Sequence, residues 1–355
     1  MKYLALNLVK FKKWSLMKIT LISLNNFSVK KVSNYLQDLS NQLDQNFEVV
    51  FCLQRLSKSF EVMKEINSFA AGDLKNKIKI VYFSKSVTCS EMYLQALNVA
   101  SGNYSVVLNS DASFKKDFVT KVLSIIKKTK ADLIEYRPRL FGVSKYKPNS
   151  RLQTKVPLDI AQHKLIFAYS FPFLFNKIVK TDLAKEVKVR KFKDDLDNKF
   201  LIELNYFLLL LSKKYYYYDE TLTKEYVSEH YIFDFQKFRL SFKNIKAYLK
   251  EFNLDFEEEF QYAKYFFYKL FSIALVSDIH PYYKLKNKAF DTDLKISHSM
   301  EQFNKLFKFL EALEKSKNFD KFLEENKYML HPIQETKNLK KKLHKLKIHK
   351  LFQEI

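Results

Sequence analysis

The sequence is poor in the residues that stabilise or bend small secreted folds. It has 3 glycines, 6 prolines and 2 cysteines in 355 residues. The cysteines, Cys52 and Cys89, form no CxxC pair and no disulfide framework, which fits a reducing compartment. A hydrophobic content of 47% is that of a globular protein and excludes a disordered chain.

Long apolar runs are also missing. The longest candidates, residues 165–175 and 200–211, fall short of the roughly 18 residues that a membrane-spanning helix needs. The first residues contain no apolar core and no small-residue cleavage site, which argues against a signal peptide. We expect a cytoplasmic protein, either free or peripheral on the inner face of the cell membrane.

Arginine is scarce although the net charge is +23. Basic charge of this size is typical of nucleic-acid and membrane binders. However, nearly all of it is lysine, and the chain is also rich in Phe, Tyr, Asn and Ile, which have AT-rich codons. Part of the lysine excess therefore reflects genome composition. A dedicated nucleic-acid binder would use more arginine, whose fork matches phosphate and guanine, so the composition argues against nucleic acid as a partner.

Apolar strands alternate with amphipathic helices over the first 110 residues. The pattern predicts strands at 18–24, 47–53, 78–83 and 104–108, with helices at 29–43, 59–69 and 89–100. This order favours an α/β fold with a parallel sheet covered on both faces. The chain becomes strongly helical after about residue 230. We predict an extension at 1–17, an α/β domain at 18–230, a helical region at 231–335 and a basic tail at 336–355.

A ligand site is expected beyond the carboxyl ends of these strands, because the loops there converge in open α/β sheets. The polar residues at those ends are Asn25 and Asn26, then 53–55, 84–86 and 109–113. This location follows from topology and requires no motif.

Several short segments, in order, resemble glycosyltransferase family 2 over residues 18–226. The matching residues are Asn46-Phe47-Glu48-Val49-Val50, Ala100-Ser101-Gly102-Asn103-Tyr104, Leu108 with Ser110 and Asp111, Asn176-Lys177, Asp194-Asp195, and the run YYYYDETLTKEY that begins at Tyr215. The resemblance implies a GT-A-like fold: a mixed, mostly parallel sheet flanked by helices, with an α-helical C-terminal extension.

The same resemblance implies a function and a donor site. A hexose would pass from a nucleotide sugar to a lipid or polysaccharide acceptor. Asp111 stands at the second Asp of the family's D-x-D motif, where it would bind a divalent cation, Mn or Mg, and the donor. Asn26, Gln54 and Asn109 are the other candidate donor-binding residues, and Asn109 replaces the first Asp of the motif. Carboxylates suit such hard cations, which stabilise a departing diphosphate.

The acidic pair Asp194 and Asp195 matches the segment that supplies the family's catalytic base, with Asp197 as a competitor. A base is needed because the acceptor hydroxyl must lose its proton. An aspartate at a helix start can equally serve as an N-cap, and both roles can coexist.

Two features of the sequence leave other functions open. Leu53-Gln54-Arg55 stands where the family has Asp-Asp-Gly, so the chain could be a catalytically inactive binding or scaffold protein. The segment 336–350 is rich in lysine, and Leu339, Leu343 and Leu346 share one helical face. It could lie on an anionic membrane surface, as in a basic peripheral membrane-binding protein, or be a solvated tail.

Overall fold

Strands and helices alternate through the first half of the chain, and the last third is helical. The computed structural model describes residues 17–55, 58–187, 199–228, 231–286, 293–346 and 348–355. The strands are β1 (Ile19–Ser23), β2 (Phe47–Gln54), β3 (Ile78–Phe83), β4 (Tyr104–Val107), β5 (Ser113–Phe114), β6 (Leu133–Tyr136), β7 (Leu140–Gly142), β8 (Leu158–Asp159), β9 (Lys177–Lys180), β10 (Lys214–Tyr218) and β11 (Thr223–Val227).

The helices before residue 230 have 5 to 13 residues, and the three longest described helices, of 14, 17 and 22 residues, come after it. They are α1 (Val29–Ser40), α2 (Ser59–Ala71), α3 (Cys89–Val99), α4 (Phe118–Thr129), α5 (Leu165–Tyr169), α6 (Thr181–Lys185), α7 (Ile202–Leu211), α8 (Phe235–Glu251), α9 (Glu257–Phe266), α10 (Ile273–Lys286), α11 (Asp293–Glu314), α12 (Lys317–Glu325), α13 (Gln334–Lys340) and α14 (Leu351–Glu354). A π-helical stretch, Phe267–Ser272, joins α9 to α10, and 3-10 turns occupy Leu343–Lys345 and Ile348–Lys350.

The central sheet is mixed and mostly parallel, which confirms the predicted fold class. Its strand order is β3-β2-β1-β4-β9-β6-β10-β8. β1 to β4 are all parallel, whereas β9 runs antiparallel between β4 and β6. A smaller sheet of β5, β11 and β7 lies beyond the end of β4 and brings β11 to that edge.

Helices cover both faces of the sheet, as the apolar strands predicted. Leu21 and Val49 pack with α1 and α4 in one core. Their neighbours Ile22 and Val50 point the other way, because side chains alternate along a strand. That second core continues from the sheet into the C-terminal helices. The domain boundaries near 230 and 335 stay predictions.

In the described part of the basic tail, the leucines face the protein core and not a membrane. Leu339, Leu343 and Leu346 are buried in the second core, and α13 ends at Lys340 instead of continuing as one amphipathic helix. The ring of Phe352 lies 4.7 Å from that of Tyr146. Helical spacing of leucines is the same toward lipid and toward protein, so the sequence could not separate the two. Within the part of the chain that the structure describes, no helix has the length and apolarity to cross a membrane.

At the amino end of the sheet, a buried carboxylate ties three strand starts together. Glu48, at the start of β2, is 1% exposed and accepts hydrogen bonds from Thr20 Oγ1 at 2.7 Å, Ser101 N at 2.6 Å and Ser101 Oγ at 2.5 Å. Gly102 N donates to it at 3.2 Å, and a Cβ at Gly102 would lie 2.6 Å from the backbone nitrogen of Thr20. The Glu48 cluster comprises Glu48, Thr20, Ser101, Gly102, Lys18 and Lys79.

Candidate functional site

A cavity of about 650 Å³ opens where the carboxyl ends of β1, β2 and β4 meet the segments that follow β11. This is the edge that the strand order predicted. A smaller cavity of about 190 Å³ lies beside it and shares Leu24, Phe27 and Gln54 with it. The larger cavity is lined by Leu24, Asn25, Phe27, Ser28, Lys31, Gln54, Cys89, Met92, Asn109, Ser110, Asp111, Lys199, Ser228, Tyr231, Ile232 and Lys237.

Asn109 lies just beyond β4 and joins two neighbouring segments. Its Oδ1 accepts from the backbone N–H of Leu24 at 3.0 Å, and its Nδ2 donates to Glu225 Oε1 at 3.0 Å. The side chain is thus engaged within the protein at both ends, although Asn109 also lines the cavity. A contact between Asn109 and the donor stays a prediction.

Asp111 lines the same cavity, two residues further along the loop. Its Oδ2 accepts from Asn25 Nδ2 at 2.8 Å and lies 3.5 Å from Lys199 Nζ. Its Oδ1 is buried and has no hydrogen-bond partner among the residues described. A buried acceptor without a partner costs free energy, and a ligand donor would relieve that cost.

Lys199 and Glu225 form a buried ion pair behind Asp111. Lys199 Nζ lies 2.9 Å from Glu225 Oε1 and also donates to the backbone carbonyl of Tyr226. Burial raises the pKa of Glu225, and Lys199 offsets this only in part. Burial alone would lower the pKa of Lys199, but the carboxylates of Glu225 and Asp111 outweigh it and raise that pKa. The Lys199 cluster comprises Lys199, Asp111, Glu225, Asn109 and Asn25.

Gln54 and Asn26, the other predicted donor residues, line the smaller cavity, and Gln54 lines both. Gln54 Nε2 donates to the carbonyl of Val87 at 3.1 Å. Asn26 Nδ2 donates to the carbonyls of Ser23 at 2.9 Å and Cys52 at 3.0 Å, which ties the end of β1 to β2. Donor binding by either residue is not tested by these contacts.

The predicted catalytic bases, Asp194 and Asp195, and their competitor Asp197 lie outside the described residues. Their role stays a prediction.

Sequence reasoning missed two members of the site, Lys199 and Glu225. A signal for Glu225 was present: Thr223, Glu225 and Val227 alternate along β11 and are all buried. A glutamate on the inward side of a strand needs a partner. Lys199 carries no comparable signal, because it is one of many lysines.

Comparison with known proteins identifies solved structures of similar fold. No family model and no curated protein matches the sequence. Among solved structures, S. aureus TarS matches at 14% identity with a TM-score of 0.53, over 83% of this chain and 55% of that one. TarS 1-349 in complex with UDP-GlcNAc matches at 12% identity with a TM-score of 0.54, over 83% and 92% of the two chains.

The fold of this chain is GT-A-like, similar to that of TarS 1-349. This confirms the predicted resemblance at the level of fold. At such low identity the likeness extends to the course of the chain and no further, so nothing about substrate follows from it directly.

The side chains around Asp111 do not fit the divalent cation that the resemblance implies. A hard cation needs several oxygen ligands. Among the described side chains there, Asp111 Oδ1 is a buried oxygen without a partner, whereas the oxygen of Asn109 and one oxygen of Glu225 are already bonded. The ammonium group of Lys199 would also repel a cation placed there. Across the described part of the chain, no group of three or more His, Cys, Asp or Glu residues is arranged to hold a metal.

Proposed function

We propose that this chain is a glycosyltransferase that moves a hexose from a nucleotide sugar to a lipid or polysaccharide acceptor. The observation that carries the proposal is the cavity at the carboxyl ends of the parallel strands, lined by Asp111 within a GT-A-like fold. TarS 1-349, which has a similar fold, has been crystallised with UDP-GlcNAc and with UDP. The acceptor class rests on the family resemblance alone.

The size and walls of the cavity support a nucleotide-sugar ligand. Its volume of about 650 Å³ falls within the roughly 300–1,000 Å³ of small-molecule sites. Phe27, Met92 and Tyr231 supply apolar and aromatic surface, while Asp111 and Lys199 converge from one side. Apolar walls with a few convergent polar groups are typical of sites that orient one small molecule.

The proposed reaction gives each group a defined task. The acceptor hydroxyl oxygen bonds to the anomeric carbon of the sugar as the bond from that carbon to the diphosphate oxygen breaks. Asp194 or Asp195 takes the hydroxyl proton. Asp111 Oδ1, which has no partner among the described residues, accepts a hydrogen bond from a hydroxyl group of the donor.

Calorimetric titration with UDP, GDP and their hexose conjugates tests the proposal. We expect at least one of them to bind. Asp111→Ala should weaken that binding at least about tenfold, because the variant loses a negatively charged hydrogen-bond acceptor. Asp255→Ala is the matched control, since it removes an exposed carboxylate that pairs with Lys164 and lies outside the cavity.

The alternative function, a binding or scaffold protein without catalysis, has its own structural motive. Leu53, which replaces an Asp of the family motif, is buried in the apolar core and offers no polar group to a nucleotide. Failure of every nucleotide and nucleotide sugar to bind the folded protein would reject the transferase proposal and favour this alternative.

A further inference from the structure

The position at which the resemblance implies a cation is next to a charge of the same sign. Lys199 Nζ lies 3.5 Å from Asp111 Oδ2 and 2.9 Å from Glu225 Oε1. A lysine ammonium thus stands among the carboxylates where a metal-dependent site would hold its ion.

We propose that Lys199, together with Lys31 and Lys237, supplies the positive charge opposite the donor's diphosphate, so that this chain binds its nucleotide sugar without a divalent cation. This inference rests on the proposed function, because it concerns the same cavity and the same ligand.

The charges on the cavity wall favour an anionic ligand. Among the described residues, three lysines, Lys31, Lys199 and Lys237, line it against one carboxylate, Asp111, and Glu225 pairs with Lys199 beside it. The described part of the wall, with Glu225 included, is therefore net positive before any ligand enters. A diphosphate carries two negative charges, so it meets a complementary surface. A wall of carboxylates alone would repel the same group and would require a cation between them.

The ammonium group of Lys199 is held in position by its neighbours. Its side chain is 15% exposed, and its ammonium group is fixed by Glu225, by the carbonyl of Tyr226 and by Asp111. The raised pKa keeps it charged at neutral pH. A charge that is already in place costs no reorganisation when the leaving group becomes negative.

The two other lysines approach from separate elements. Lys31, in the first turn of α1, places its ammonium 3.8 Å from the ring centroid of Tyr226. Lys237 lies in the first turn of α8. Both are half-buried, and neither forms an ion pair with a carboxylate among the described residues. Their charges therefore remain available to an anion in the cavity.

In the transfer step, negative charge grows on the diphosphate oxygen as its bond to the anomeric carbon breaks. An ammonium group near that oxygen lowers the barrier by electrostatic attraction. The proton of the acceptor goes to the base, and the diphosphate leaves with the electron pair of the broken bond.

The test is titration of the full chain with UDP and GDP, in EDTA and then in manganese. We expect wild-type affinity to be the same within about twofold in both conditions. Lys199→Met should lose at least about tenfold in EDTA, and Lys199→Arg should retain most of the affinity because it keeps the charge. Lys269→Met is the matched control: it removes a buried ammonium paired with Glu314 in the helical region, outside the cavity.

The double variant Lys31→Met/Lys237→Met covers the case in which Lys199→Met does not fold. Neither side chain is fully buried, so this variant should fold and still bind UDP more weakly in EDTA. Wild-type binding that appears only with manganese would overturn the inference and leave the proposed function standing. Absence of nucleotide binding in both conditions would overturn the two together.

Discussion

Both ends of the central sheet bury carboxylates beside lysine, but the two ends differ in how completely these carboxylates are hydrogen-bonded. At the amino end, Glu48 accepts from side chains and backbone N–H groups at 2.5–3.2 Å. At the carboxyl end, Asp111 has one buried oxygen without a partner in the described part of the chain, and Glu225 is paired chiefly with Lys199. The first arrangement is complete, whereas the second leaves bonding capacity unused.

The pKa values follow the same division. Burial would raise the pKa of Glu48, but the donors around it, Ser101 foremost, lower it far below its ordinary value of 4.5. The pKa of Glu225 is raised, since burial outweighs the attraction of Lys199. A carboxylate with all its hydrogen bonds made stabilises a fold. One that lacks hydrogen-bond partners lowers stability, and such a loss is typical of binding sites. The comparison therefore separates a structural cluster from a functional one.

Removing the charge of Glu48 should produce the largest loss of stability. Glu48→Gln keeps the shape of the side chain but replaces an acceptor-only group with an amide, so donors such as Ser101 N and Gly102 N face it with weaker or missing bonds. We expect the free energy of unfolding to fall by about 2–3 kcal/mol at pH 7. Urea unfolding measures this. Nucleotide affinity of the folded variant should not change.

A matched substitution and a pH series sharpen that result. Glu325→Gln removes an exposed carboxylate paired with Lys321 and should cost less than about 0.5 kcal/mol. Because the folded pKa of Glu48 is depressed, its contribution is present above pH 4.5 and declines as the pH falls below that value. Wild type and Glu48→Gln should therefore converge in acid. A difference that stays constant to pH 3 would show that Glu48 does not act through its charge.

The sheet and its edge could be predicted from sequence, because apolar runs such as that of Ile78–Phe83 specify strands and parallel strands specify where loops converge. β9 (Lys177–Lys180) was missed because four residues with lysine at both ends give no strand pattern. Asp111 lines the cavity at that edge, and its role as a donor or metal ligand stays a prediction. Its pairing with Lys199 was not predictable, since those residues are far apart in sequence and meet only through the sheet order.

Asp111→Asn tests the other side of the comparison, where activity should change more than stability. The variant removes a carboxylate that is bonded by Asn25 and is 3.5 Å from Lys199, so few strong contacts are lost. We expect the unfolding free energy to change by no more than about 1 kcal/mol, while transfer from the nucleotide sugar falls at least about tenfold, because an amide oxygen is a weaker acceptor than a carboxylate. Parallel urea unfolding and transfer assays measure both. Full transfer activity in this variant would remove Asp111 from the site.

Glu225→Gln should give the smallest change and the opposite pH dependence to Glu48→Gln. Because the pKa of Glu225 is raised, the folded state keeps its proton at pH values at which the unfolded state has lost it. The free energy of unfolding of the wild type should therefore fall as the pH rises above 4.5. Glutamine cannot ionise and can still accept a hydrogen bond from Asn109. The free energy of unfolding of the variant should therefore increase relative to that of the wild type between acid and neutral pH. Urea unfolding of both proteins across that range measures the difference. If Glu225→Gln instead lost ground as the pH rose, the pair with Lys199 would be stabilising in the way that the Glu48 cluster is, and the contrast between the two ends of the sheet would not hold.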